Sequence, residues 1–117
     1  MQFQVINDRY YENLLHNLTT IVPEFISVFD SDDGGYLILG EFRRFLVKNM
    51  THSKIFSNCC NFLNEAIEKG GYKTKDAISC QIFSLIHKDE ILVNRIKPNL
   101  KGSSLKLFLD YVNKLNE

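Results

Sequence analysis

Residues 30–41, Asp-Ser-Asp-Asp-Gly-Gly-Tyr-Leu-Ile-Leu-Gly-Glu, place four carboxylates around two adjacent glycines. Asp30 and Asp32 stand at the first and third positions of a twelve-residue calcium loop. Gly35 is at the sixth, where the chain must turn sharply. Tyr36 offers its carbonyl at the seventh, Leu37 is apolar at the eighth, and Glu41 is at the twelfth as a bidentate ligand. Phe29 and Phe42 flank the run as that pattern requires. Two positions depart from it: Gly34 at the fifth and Ile38 at the ninth bring no side-chain oxygen. The helix leading in is short and interrupted by Pro23, and there is no second loop to pair with this one. A hard cation held by fewer carboxylates is held weakly, so the spacing predicts weak calcium binding or none. The plainer reading is an acidic turn between two helices.

No other constellation carries chemistry. His16, His52 and His87 are scattered and show no HExxH or comparable metal spacing. Cys59 and Cys60 fall on an apolar helical face, where a small buried thiol is the usual occupant. Gly70-Gly71 follows a helix and lacks the lysine of a phosphate-binding loop. Nothing resembles a paired-carboxylate, Ser/His/Asp or dinucleotide site. The expectation is a protein without catalytic residues, metal or cofactor.

Lys and Arg number 14, as do Asp and Glu, giving zero net charge. Nucleic-acid binders usually carry a basic excess, so no nucleic-acid partner is expected. The balance hides a split. Residues 1–42 carry seven acids (Asp8, Glu12, Glu24, Asp30, Asp32, Asp33 and Glu41) against Arg9 alone, a net of −6, and residues 43–117 carry +6. Either both ends are ordinary solvated faces, or an acidic face meets a basic partner, since complementary fields speed association and exclude wrong partners. No apolar run approaches the roughly 18 residues of a membrane span. Residues 1–8 have no basic segment leading into an apolar one, so no secretory signal is expected. Three cysteines without a spacing pattern suit a reducing cytoplasm.

The elements that would position the acidic turn are helices. Tyr11, Leu14, Leu15, Leu18 and Val22 predict a first helix from Asn7 or Asp8, either of which could cap it, to about Thr20. A short second helix over 23–29 would turn Phe25, Ile26 and Phe29 to one side. Residues 36–39 could be extended; a helix over 39–48 then buries Leu39, Phe42, Phe45 and Leu46, with Arg43, Arg44 and Lys48 pointing away. In Ser53–Lys69, Ile55, Cys59, Phe62 and Ala66 form one row and Phe56, Cys60, Leu63 and Ile67 the next, the wide face of a central helix. Gly70-Gly71 would end it in a left-handed turn. Thr74 would cap a helix over 75–87 with Ile78, Ile82, Leu85 and Ile86 inward. A short helix over 89–97 carries Leu92 and Ile96 and closes at Pro98. Ser103 or Ser104 would cap the last, with Leu105, Phe108, Leu109, Val112 and Leu115 in phase. These predict an all-α single domain, an irregular array of about six or seven short helices. Tyr10, Tyr36 and Tyr72 fall at element edges, where tyrosines either anchor interfaces or cover a core rim.

The stretch Ile21-Val22-Pro23-Glu24-Phe25, the acidic turn, and then Leu39-Gly40-Glu41-Phe42-Arg43-Arg44-Phe45-Leu46 resembles a family of small helical bacterial proteins with a PEF segment, a turn and an LGEF-x-RFL helix. Phe62-Leu63-Asn64-Glu65 and residues 77–85 fit the pattern loosely, so the resemblance runs from about Leu18 onward. Members of that family are often immunity proteins of toxin–immunity loci, including contact-dependent growth inhibition systems. The resemblance implies a cytoplasmic protein that binds a co-encoded toxin domain and blocks it. It supplies no catalytic residue. Against a nuclease toxin the acidic turn would mimic phosphate charge, which makes Asp30, Asp32, Asp33, Tyr36 and Glu41 the candidate partner-binding residues. The alternatives are an EF-hand-like calcium module on the same turn and a regulatory adaptor domain.

Overall fold

The computed structural model describes residues 8–114. Asn7, residues 1–6 and Leu115, on which some sequence expectations rest, lie outside them. The regular structure among the described residues is all helical, with no strand. The helices are α1 (Arg9–Glu12), α2 (Leu14–Ile21), α3 (Gly35–Lys48), α4 (Ser53–Lys69), α5 (Tyr72–Ile78), α6 (Ser84–Ile86), α7 (Glu90–Ile96) and α8 (Gly102–Lys114). Short 3₁₀ turns cover Ser31–Asp33 and Lys97–Asn99, and a π-helical turn, Ser79–Phe83, joins α5 to α6.

α4 has the predicted bounds and the predicted place. Both of its apolar rows are buried, from Phe56 to Ile67, and they pack against α2, α5 and α8. An aromatic chain crosses this centre: the ring of Phe62 meets that of Phe42 edge-on at 5.3 Å, and Phe42 meets Phe25 edge-on at 5.6 Å. A second pair, Phe83 and Phe108 at 5.1 Å, seats α8. All buried apolar side chains belong to one continuous cluster.

Several local expectations are corrected. Residues 23–29 form no helix. Seven residues are too few to sustain one unaided, and the backbone N–H of Val28 donates to Glu41 Oε2 at 2.9 Å instead of joining a helical ladder. Residues 36–39 are not extended but lie in the first turns of α3, which starts four residues earlier than the apolar stripe suggests. Gly34 makes that start possible: its φ of 95° swings the chain from the 3₁₀ turn into the helix, a conformation costly for any residue with a Cβ. Gly70 and Gly71 are not left-handed, with φ of −78° and −90°. A Cβ on Gly70 would lie 2.5 Å from the Ala66 carbonyl oxygen and from Thr74, so close approach explains the glycine.

Thr74 and Ser104 do not act as caps. Thr74 lies inside α5, and its backbone N–H donates to Asp8 Oδ2 at 2.8 Å. Asp8 also caps α1 by accepting from Tyr11 N–H at 3.0 Å, so one carboxylate serves two helix starts distant in sequence. Ser104 is buried within α8 and its hydroxyl donates to Asn64 Oδ1. The amide of Asn64 in turn donates to the Asn99 carbonyl at 3.0 Å and so fixes the approach to α8.

The π-turn re-phases the helix it interrupts. One extra residue rotates everything after it, so Phe83 and Ile86 are buried while Leu85, expected inward, is exposed. Two carbonyls of the widened turn accept from side chains: Cys80 from Ser84 Oγ at 2.8 Å, and Gln81 from Arg43 at 2.9 Å. Arg43 therefore does not point into solvent as the helical stripe suggests; it ties α3 to the turn.

Candidate functional site

The acidic turn is built by its own side chains. Asp30 caps the 3₁₀ turn, with Oδ1 accepting from Asp32 N–H at 2.9 Å, and Asp33 Oδ2 returns the bond by accepting from Asp30 N–H at 2.9 Å. This reciprocal capping holds Asp30, Asp32 and Asp33 within one turn, and all three are exposed. The single ion pair among the described residues is Lys69–Glu65, so no Lys or Arg pairs with these carboxylates.

Glu41 and Tyr36 have other partners. Glu41 lies well inside α3, and its two oxygens accept from Ser27 Oγ at 2.5 Å and Val28 N–H at 2.9 Å. It straps the 22–30 loop onto the helix. The Tyr36 hydroxyl donates to Asp76 on α5, and its ring meets Tyr11 edge-on at 6.2 Å. Its bond to Asp76, followed by burial, pushes the phenol up to about 12. The structure thus gathers three of the five sequence-nominated residues on one exposed turn. It uses the other two as internal ties between elements.

This arrangement differs from a calcium loop. The chain is already α-helical from Gly35, so residues 36–41 cannot wrap a cation, and both oxygens of Glu41 are engaged 13 to 14 residues back. No group of three or more His, Cys, Asp or Glu among the described residues is placed to hold a metal. Calorimetric titration with calcium is expected to show no affinity tighter than about 10⁻⁴ M, the weak end of carboxylate-loop sites. A micromolar constant that disappears in Glu41→Gln would overturn this.

Two of the thiols and Tyr10 are structural in their surroundings, whereas Tyr72 and Cys80 lie at the surface. Cys59 and Cys60 are fully buried in α4, and burial pushes both thiols up to about 12. Tyr10 donates to Glu65 at 2.7 Å; burial, then that carboxylate, holds the phenol well above its usual range. Tyr72 stands 71% exposed and Cys80 is exposed beside Asp76.

Sequence reasoning missed the apolar half of the exposed loop. Ile26, expected to face inward with Phe25 and Phe29, is 85% exposed, Val28 is 83% exposed, and Leu37 on α3 is 51% exposed. Phe25 is buried, with its ring 5.6 Å from Phe42 and 5.3 Å from Phe45. The departure from helical spacing was not legible, because Phe25, Ile26 and Phe29 also satisfy a helical stripe.

The fold and this surface define an all-α protein of short, irregularly packed helices that displays an acidic and aliphatic loop. No helix among the described residues is long and apolar enough to cross a membrane. No family model matches the chain, and no curated protein or solved structure matches it either.

Proposed function

We propose that the chain is an immunity protein that binds a co-encoded toxin domain and neutralises it by stoichiometric occlusion, in the cytoplasm and without catalysis or a cofactor of its own. The observation that carries the reading is the exposed turn of Asp30, Asp32 and Asp33, held in shape by reciprocal caps and unpaired with any described Lys or Arg. Preorganised, uncompensated carboxylates attract a cationic surface, and a nuclease groove is one. The resemblance of residues 21–46 to helical immunity proteins supports the same reading. Occupying such a groove denies the toxin its phosphate-bearing substrate without any chemical step.

The test pairs this protein with the toxin domain encoded beside its gene, using surface-plasmon kinetics at two salt concentrations and a survival assay. Association is expected to slow with salt, because screening shortens the field to about 8 Å at physiological ionic strength. Reversing Asp32 and Asp33 to Lys is expected to lower the on-rate about tenfold or more while the helical core survives, since both side chains are exposed. The Asp33 change also removes the cap on Asp30 N–H, so Asp32→Lys alone isolates the effect of charge. Salt-independent association with full protection by the double variant would remove the turn from recognition. A wild-type protein that neither binds nor protects would reject the immunity reading.

A further inference from the structure

We propose that Ile26 and Val28 are the anchors of a preorganised docking loop, and that its occupant is a protein surface with an apolar pocket rimmed by Lys and Arg. This deepens the binding reading above and names the chemistry of the partner's face.

The loop has two pegs and one strap. Phe25 is buried against Phe42 and Phe45, and Phe29, partly buried, packs against the core cluster. Between them Glu41 accepts from Ser27 Oγ and Val28 N–H, and Ser27 Oγ accepts from Phe29 N–H at 2.9 Å. The backbone that carries Ile26 and Val28 is therefore fixed, and both side chains stand more than four-fifths exposed. Aliphatic groups carried on a backbone that is already fixed lose less conformational entropy on binding, so more of their burial energy appears as affinity. Glu24, Asp30, Asp32 and Asp33 flank the pair in the chain, all exposed, and no Lys or Arg occurs between Arg9 and Arg43. An apolar centre with a polar rim is the general anatomy of a protein interface.

The rim selects the occupant. A second copy docked on a two-fold axis would set these carboxylates against themselves, and an anionic membrane or a nucleic acid would be repelled by them. A protein face with cations around an apolar pocket satisfies both halves of the patch.

The probe is a phage-displayed random 12-residue peptide library selected on the immobilised full chain. Enriched peptides are expected to combine a large apolar residue with flanking Lys or Arg, and to shift the backbone amides of residues 24–33 in the ¹⁵N-labelled protein. Ile26→Ala/Val28→Ala should weaken their binding by at least tenfold with unchanged circular dichroism. No enrichment, acidic peptides, shifts centred elsewhere, or a dimer in sedimentation that the double variant dissolves would each overturn the proposal. A neighbouring toxin domain that binds wild type and double variant equally would support the immunity reading and overturn this one. Peptide selection as expected, with no binding of that toxin domain, would support this one and reject the other.

Discussion

Replacing Phe62 with alanine is expected to remove about 3–5 kcal/mol of unfolding free energy, the range for truncating a fully buried aromatic. Phe62 has no solvent exposure, meets Phe42 at 5.3 Å, and lies 6.4 Å from the ring of Tyr10. It therefore joins α4 to α3 and α1 at once. Through Phe42 it also supports Phe25 and with it the root of the exposed loop. Such a void cannot collapse easily, because its walls come from separate helices whose backbones would all have to move. Domains of this size hold only about 5–15 kcal/mol in total, so the variant should unfold at much lower urea. Urea titration followed by circular dichroism measures it, with Ile26→Ala as the internal reference. That side chain is exposed, and its loss should stay within about 0.5 kcal/mol. Equal midpoints for the two variants would show that α4 does not carry the core.

The second large effect belongs to Asp8. Asp8→Ala is expected to cost about 2–4 kcal/mol, combining a lost helix cap with a buried N–H left without an acceptor. Asp8 is 4% exposed and accepts from Tyr11 and Thr74, 66 residues apart from the latter. Burial alone would raise its carboxyl, but the backbone N–H groups of Thr74, Tyr11 and Gly71 together outweigh it and hold it below the usual 3.8. A depressed folded value means the unfolded chain takes up the proton first. The contribution is therefore complete above about 3.8 and is lost as pH falls through the lower folded value. The gap between wild type and variant in thermal melts should narrow as pH falls from 6 toward 2. A gap that persists unchanged to pH 2 would show that the carboxylate charge is not what holds α5.

The difference between what was legible and what was not follows from the range of each interaction. The double row of Ser53–Lys69 was read correctly because a central helix buries two faces, and its period appears in its own residues. Phe62, Leu63 and Ile67 needed no knowledge of neighbours. Helix starts set from across the fold left no such trace. Thr74 has the local chemistry of a cap, but Asp8 supplies the acceptor, and nothing near Thr74 records it. The π-turn was equally silent, since its widened carbonyls are satisfied by Arg43, 38 residues away, and by Ser84. The acidic turn was legible as a turn because Asp30 and Asp33 cap each other within four residues. The roles of Glu41 and Tyr36 were not, because their partners, Ser27 and Asp76, come from other elements. Ile26 was misplaced for a related reason: an extended loop pinned at Phe25 and Phe29 imitates one side of a helix.

The cysteines sort into two reactivity classes by burial alone. Cys59 and Cys60 sit side by side in α4 with no exposure, whereas Cys80 lies on the outer side of the π-turn. An alkylating reagent needs both access and thiolate, and the pair in α4 offers neither until the central helix separates from its neighbours. Cys80 can be reached in the native chain, though burial and the nearby Asp76 carboxylate slow it by keeping its proton on. One thiol therefore reports the surface while two report the breathing of the core. The molecule carries its own clock for global opening, read by counting modified sulfurs with time.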